Sequence, residues 1–168
     1  MADTYELYVI RHALAEDRGD AWPDDAKRPL TEDGKTRFRR ASRSLARIGI
    51  EIDVVLTSPL VRTRQTADIF AAAFSPHPAV VNVDALAPDG SPAGLIAELG
   101  KYSRKRGIAI VGHEPGIGEL ASQLIGMRHA IEFKKGGVCR IDVDELPPKD
   151  PGALRWFLTP KLLRNFKK

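Results

Sequence analysis

Three short apolar runs that break off at polar residues limit most strongly what this chain can become. They are Leu7-Tyr8-Val9-Ile10 before Arg11-His12, Val54-Val55-Leu56 before Thr57-Ser58, and Ile108-Ala109-Ile110-Val111 before Gly112-His113. Runs of this length, bounded by polar or turn residues, read as buried strands. Strands are expected over 7–11, 53–58, 79–83 and 108–111, followed by 138–143 and 153–158 with a Pro-rich turn between the last two. Helices fall in the gaps. Thr31 can cap one that ends near Gly49, Pro59 suits the first turn of one running to about Phe74, a third is expected around 93–105, and a fourth opens at Pro115 and runs to about Ile125. This alternation implies an α/β fold, a three-layer α/β/α sandwich with a mostly parallel central sheet.

Composition narrows the class. The 168 residues suit one domain spanning 1–168, and 43% hydrophobic with 29% charged residues is ordinary for a globular chain. No apolar run reaches membrane-spanning length, and Met1-Ala2-Asp3-Thr4-Tyr5-Glu6 has none of the features of a signal peptide, so the expected location is cytoplasmic. Cys139 stands alone, which rules out an internal disulfide and suggests a buried structural thiol. A net charge of +4 would suit an anionic partner such as nucleic acid. Much of the basic excess, however, falls on Lys35, Arg37, Arg39, Arg40, Arg43 and Arg47, among apolar residues at helical spacing, and on a basic end piece from Lys161 to Lys168. The first group reads as the solvated face of an amphipathic helix, and neither nucleic acid nor membrane is an expected partner.

Parallel strands carry their C-terminal ends to one edge of a sheet, where open α/β folds place their ligands. Arg11, His12, Arg62 and His113 would therefore converge. Two guanidiniums can clamp the non-bridging oxygens of a phosphoryl group through bidentate, charge-assisted hydrogen bonds. One imidazole can attack phosphorus while the other supports the developing charge. Neither metal nor other cofactor is required. A zinc site on His12 and His113 lacks a third ligand, and adjacent arginines would repel the cation. His77 and His129 have no motif around them and read as surface or loop residues.

The segments Arg11-His12, Ser58-Pro59-Leu60-Val61-Arg62-Thr63-Arg64-Gln65-Thr66 and Gly112-His113-Glu114-Pro115 resemble the motifs of the histidine phosphatase superfamily, the phosphoglycerate-mutase-like family. The small size, Arg28-Pro29-Leu30-Thr31 and Leu158-Thr159-Pro160-Lys161 resemble its SixA-like phosphohistidine phosphatase branch, which lacks the cap insertions of larger relatives. The resemblance implies that His12 is the nucleophile and is transiently phosphorylated, and that Arg11, Arg62 and His113 form the phosphate pocket, with His113 able to add its own charge. Arg64 and Gln65 would be structural. Two positions depart from the family pattern. Ala13 stands where the signature has Gly, and Ala85 stands where mutase and acid-phosphatase relatives carry a Glu proton donor, with Asp84 only its neighbour.

The missing acid bears on the substrate. An alkoxide leaving group has a conjugate acid of pKa roughly 15 or more, so its expulsion needs a positioned donor. Imidazole, with a pKa of about 6.5, does not. Phosphohistidine on a protein is thus the expected substrate and inorganic phosphate the product. Two other readings stay open: a small-molecule phosphomonoesterase using Asp84 or Glu16 as its acid, with Asp17 a further carboxylate nearby, and a phosphate-recognising interaction module whose catalysis has decayed.

Overall fold

The computed structural model describes residues 4–166, so Met1 to Asp3 and the final Lys167 and Lys168 of the basic end piece lie outside the described residues. Six strands form: β1 (Tyr5–Arg11), β2 (Val54–Thr57), β3 (Ala79–Asn82), β4 (Gly107–Gly112), β5 (Val138–Val143) and β6 (Ala153–Leu158). Five helices accompany them: α1 (Glu32–Arg47), α2 (Val61–Ala71), α3 (Pro92–Leu99), α4 (Gly116–Leu124) and α5 (Pro160–Arg164). The sheet runs in the order β3-β2-β4-β1-β5-β6. The first four strands in that order are mutually parallel; β5 is antiparallel to β1, and β6 pairs back on β5 as a hairpin.

Alternation along the buried strands divides the core into two. Leu7, Val9, Leu56, Ile108 and Ile110 face one side, where Leu95 and Leu99 of α3 and Leu120 and Leu124 of α4 meet them. Tyr8, Ile10, Val55, Ala109 and Val111 face the other, against Phe38 and Leu45 of α1, Phe70 of α2 and Leu163 of α5. Buried on both faces, these strands need to be continuously apolar, and they are. Cys139 on β5 is fully buried, and burial pushes its thiol up to about 12, which keeps it protonated and inert.

Local chemistry explains where elements begin and end. Thr31 caps α1 as its sequence implies, its hydroxyl accepting from the Gly34 amide. α2 opens at Val61 and not at Pro59, after a bend at residues 59–60. The Thr63 hydroxyl contacts the Ser58 and Leu60 carbonyls and closes that bend. The third helix stops at Leu99, short of the expected 105, and tightens into a 3-10 turn over Gly100–Tyr102. The basic end piece contains an unforeseen helix, α5, capped by Thr159 and anchored by the buried Leu163.

Between β1 and α1 the polar loop folds back on itself through an Ala15–Leu30 bridge and a 3-10 turn over Asp25–Lys27. Its return path is tight. A Cβ on Gly34 would lie 2.2 Å from the Leu14 carbonyl oxygen, which also accepts from the Thr31 amide. Gly34→Ala is therefore expected to destabilise the fold by about 1–3 kcal/mol, as overpacking does, and to displace the segment that follows His12. Urea denaturation checks this; a variant as stable as the parent would show that the loop yields freely.

Candidate active site

β4 lies between β1 and β2, so the C-terminal ends of these three strands are neighbours. His12 follows β1, and its amide donates to the Gly112 carbonyl at 3.0 Å. His113 follows β4, and Arg62 sits in the first turn of α2 beyond the end of β2. These three side chains, with Arg11, line a cleft of about 320 Å³. The His12 and His113 ring centroids are 5.4 Å apart. The four residues expected to converge are thus placed together.

His12 is buried, and its Nδ1 lies 2.7 Å from the Ala13 carbonyl oxygen. A carbonyl only accepts, so Nδ1 carries the hydrogen and Nε2 keeps the free lone pair. Burial, with Arg62, Arg11 and Lys135 nearby, lowers the His12 pKa to about 4 despite the opposing effect of the Ala13 hydrogen bond. The ring is neutral at neutral pH. Ala13 has no positive φ, so the position needs no glycine, and its amide donates to the Thr66 hydroxyl at 3.1 Å.

His113 differs from expectation. Burial first, then Arg62 and His12, push its pKa down to about 3, so it is neutral and not a charged member of the clamp. Its Nε2 is hydrogen-bonded to Ser58 Oγ at 2.8 Å, while its Nδ1 is buried without a partner. The Nε atoms of Arg11 and Arg62 are likewise buried and unpaired. All three atoms belong to residues that line the cleft.

Arg62 is also held by protein groups. Its guanidinium donates to the Asp25 carbonyl at 2.9 Å and meets the Asp25 carboxylate at 3.0 Å. The same carboxylate accepts from Arg28 Nε at 2.8 Å, and Arg28 Nη1 donates to the Glu16 carbonyl at 2.7 Å. The Arg28 bond chiefly holds the Asp25 carboxyl below its ordinary range. Arg28 was legible only as part of a family segment, yet it is buried and lines the cleft. Arg11 Nη1 donates to the Phe133 carbonyl at 2.6 Å. The Phe133 amide donates to the Glu114 carboxylate at 3.1 Å.

The two proposed acids part company. Glu16 and Asp17 line the cleft, whereas Asp84 is exposed at the start of a 3-10 turn over Asp84–Leu86 and is not among the lining residues. Glu114 lines the cleft as well, and burial raises its pKa. Gln65 accepts from the Leu30 amide at 2.8 Å and so holds the loop, while Arg64 pairs with Asp68 and Asn82 at the surface. Among the described residues no cluster of three or more His, Cys, Asp or Glu is arranged to hold a metal ion. Nor is any helix of the described residues long and apolar enough to cross a membrane.

A neutral histidine leaves a protonation signature. Between about pH 6.5 and about pH 4 the unfolded chain binds a proton at His12 that the folded chain refuses. Stability is therefore complete above that window and falls as pH is lowered through it. Urea unfolding at pH 7 and pH 5 should show this loss, with a shallower slope in His12→Ala; identical slopes would contradict the depressed pKa.

A mostly parallel α/β sheet that brings two neutral histidines and two partly unpaired arginines to one edge defines a phosphoryl-handling enzyme. The family model for the histidine phosphatase superfamily (branch 1) matches residues 7–86. An uncharacterized protein of Picosynechococcus sp. is 41% identical over 138 residues, covering 79% of this chain and 82% of that protein. Phosphohistidine phosphatase SixA of Escherichia coli is 26% identical over 168 residues, covering 96% of this chain and 98% of SixA. The structure of the protein histidine phosphatase SixA complexed with tungstate superposes with a TM-score of 0.81 at 24% identity, covering 93% and 97% of the two chains. The chain belongs to the histidine phosphatase superfamily, in its SixA-like branch, and is a phosphatase.

Proposed function

We propose that this phosphatase removes phosphate from phosphohistidine on a protein, through a covalent intermediate on His12. The observation that carries the reading is the 2.7 Å contact from His12 Nδ1 to the Ala13 carbonyl, which leaves a neutral Nε2 beside Arg11 and Arg62. Nε2 attacks phosphorus, the P–N bond to the substrate imidazole breaks, and that imidazole takes its proton from solvent. Water then attacks the phosphorylated His12, releasing inorganic phosphate and restoring the free ring. Arg11, Arg62 and His113 hold the equatorial oxygens, the unpaired Nε–H groups of the two arginines being donors that no protein group uses. The site works without a metal or other cofactor in this reading, and a cytoplasmic location fits a protein substrate.

The leaving group sets the substrate. Ala85 stands where an ester-cleaving relative would need an acid, and Asp84 does not reach the cleft. SixA of Escherichia coli is a phosphohistidine phosphatase by name, and in a solved SixA structure the ligand is tungstate, a tetrahedral oxyanion.

One observation favours monoester hydrolysis instead. The Glu114 carboxyl lines the cleft with its pKa raised by burial, as a proton donor requires. Turnover of a histidine-phosphorylated protein and of p-nitrophenyl and glycerol phosphates at pH 7 separates the readings. The expected result is a kcat/KM for phosphohistidine at least ~100-fold above that for the alkyl ester, matching the donor contribution of 10²–10⁴, and unaffected by chelator. Glu114→Gln should leave phosphohistidine turnover within about twofold. A preference for the alkyl ester that Glu114→Gln removes would transfer the assignment to the monoesterase.

A further inference from the structure

Beside the active-site cleft lies a second groove of about 420 Å³, walled by the start of α1, the turn over 134–136 and the start of α5. Its floor is apolar: Ala13, the 37% exposed Leu14, Phe38 and Pro160. Lys134, Lys135, Lys161 and Arg164 stand around it, and none of the lining residues is acidic. Arg37, also at the rim, is engaged by Asp33 at 2.8 Å, whereas those four cations have no ion-pair partner among the described residues.

The groove is joined to the nucleophile by backbone. The Gly136 amide donates to the carbonyls of Arg11 at 3.1 Å and His12 at 2.9 Å, so the lysine-bearing turn is fixed to the residue that attacks phosphorus. Gly136 has φ +78°, and a Cβ there would press within 3.4 Å of Pro160 and Phe38, so the tight turn and the close floor both favour glycine. Lys135 lines both cavities, and Ala13-Leu14 run directly from His12 into the groove. Unpaired cations around an apolar floor repel one another and gain an anionic partner together.

We infer that this groove docks an acidic surface of the protein that carries the phosphohistidine, seating apolar side chains on Leu14 and Pro160 and carboxylates against Lys134, Lys161 and Arg164. The inference rests on the protein-phosphohistidine reading above. Ala13 and Leu14 follow His12 in the chain and line the groove, so it lies within reach of the residues that flank a phosphohistidine held over His12. Specificity then comes from the surroundings of the histidine as well as from the catalytic cleft.

Two peptides of equal length test this, each with one central phosphohistidine, flanked in one by glutamate and leucine and in the other by serine. The free phosphohistidine amino acid serves as the reference. Wild type should turn over the acidic peptide with kcat/KM about tenfold above the serine peptide at low salt, the gap closing in 0.5 M NaCl as screening predicts. K134E/K161E should abolish or invert the preference, K134Q/K161Q should reduce it, and both should process the free amino acid at the wild-type rate. Equal kcat/KM for the two peptides would overturn the docking inference, as would equal losses on peptide and amino acid. Absence of turnover for every phosphohistidine compound would strike the functional reading instead. Docking is then read from fluorescence anisotropy with the unphosphorylated acidic peptide, where binding lost in K134E/K161E upholds it and no binding overturns it. A labelled oligothymidine that outcompetes that peptide through the same lysines would reassign the groove to nucleic acid.

Discussion

Replacing His12 by alanine is expected to eliminate turnover, lowering kcat by at least ~10⁴-fold, equivalent to about 5.4 kcal/mol of lost transition-state stabilisation. Its imidazole is the group in the cleft whose protonation and orientation are both fixed for attack: Nδ1 is tied to the Ala13 carbonyl, and burial keeps the ring neutral. Neither feature survives truncation. The fold should survive, because the backbone of residue 12 stays anchored to Gly112 and Gly136 and no apolar core contact is removed. His12→Gln tests orientation separately. It fills the space with a polar amide but offers no comparable nucleophile, so it should be as inactive as alanine. Activity of the alanine variant within tenfold of wild type would mean that another group, or water, attacks phosphorus directly.

Arg62→Ala should lower kcat/KM by about 10²–10³-fold, the loss seen when one oxyanion donor is removed from a preorganised site. Inorganic phosphate and vanadate should lose affinity as inhibitors in the same variant, since in the proposed reaction the guanidinium binds the anion itself. Arg62→Lys should recover little, because an ammonium is a point charge and cannot present two parallel donors. Arg62 has a structural function as well. It fastens the 3-10 turn at Asp25 through both a carbonyl and a carboxylate, so the alanine variant should lose some stability and loosen the loop that carries Arg28. Anion affinity and unfolding midpoint therefore need to be measured together. A variant with weakened stability but undiminished phosphate affinity would reduce Arg62 to a loop anchor.

The strands were legible because burial on both faces demands continuous apolar runs, and Leu7–Ile10 and Ile108–Val111 supply them without help from distant residues. From their parallel pairing follows the meeting of Arg11, His12, Arg62 and His113, since strand ends in one direction share one edge. What the sequence concealed depends on long-range folding. Arg28 reaches the cleft, and Asp25 reaches Arg62, only because the loop before α1 doubles back through Ala15 and Leu30, a contact with no periodic signal. The neutrality of His113 comes from burial beside Arg62, which a list of residues near a strand end does not contain. Glu114 reads as a neighbour of the histidine, yet burial raises its proton affinity against the opposing hydrogen bond from the Phe133 amide. Helix α5 is too short for an amphipathic pattern, and only Thr159 and Leu163 announce it.

The central claim is that phosphate passes through His12. Rapid mixing of the enzyme with a ³²P-phosphohistidine protein, followed by an alkaline quench within milliseconds, measures it directly, because phosphohistidine survives alkali and is lost in acid. The expected result is a burst of label on the enzyme that approaches one phosphate per chain, decays at the rate of phosphate release, maps to the peptide containing His12, and is absent from His12→Ala. Full phosphate release at the normal rate with no label on the enzyme at any time would contradict it.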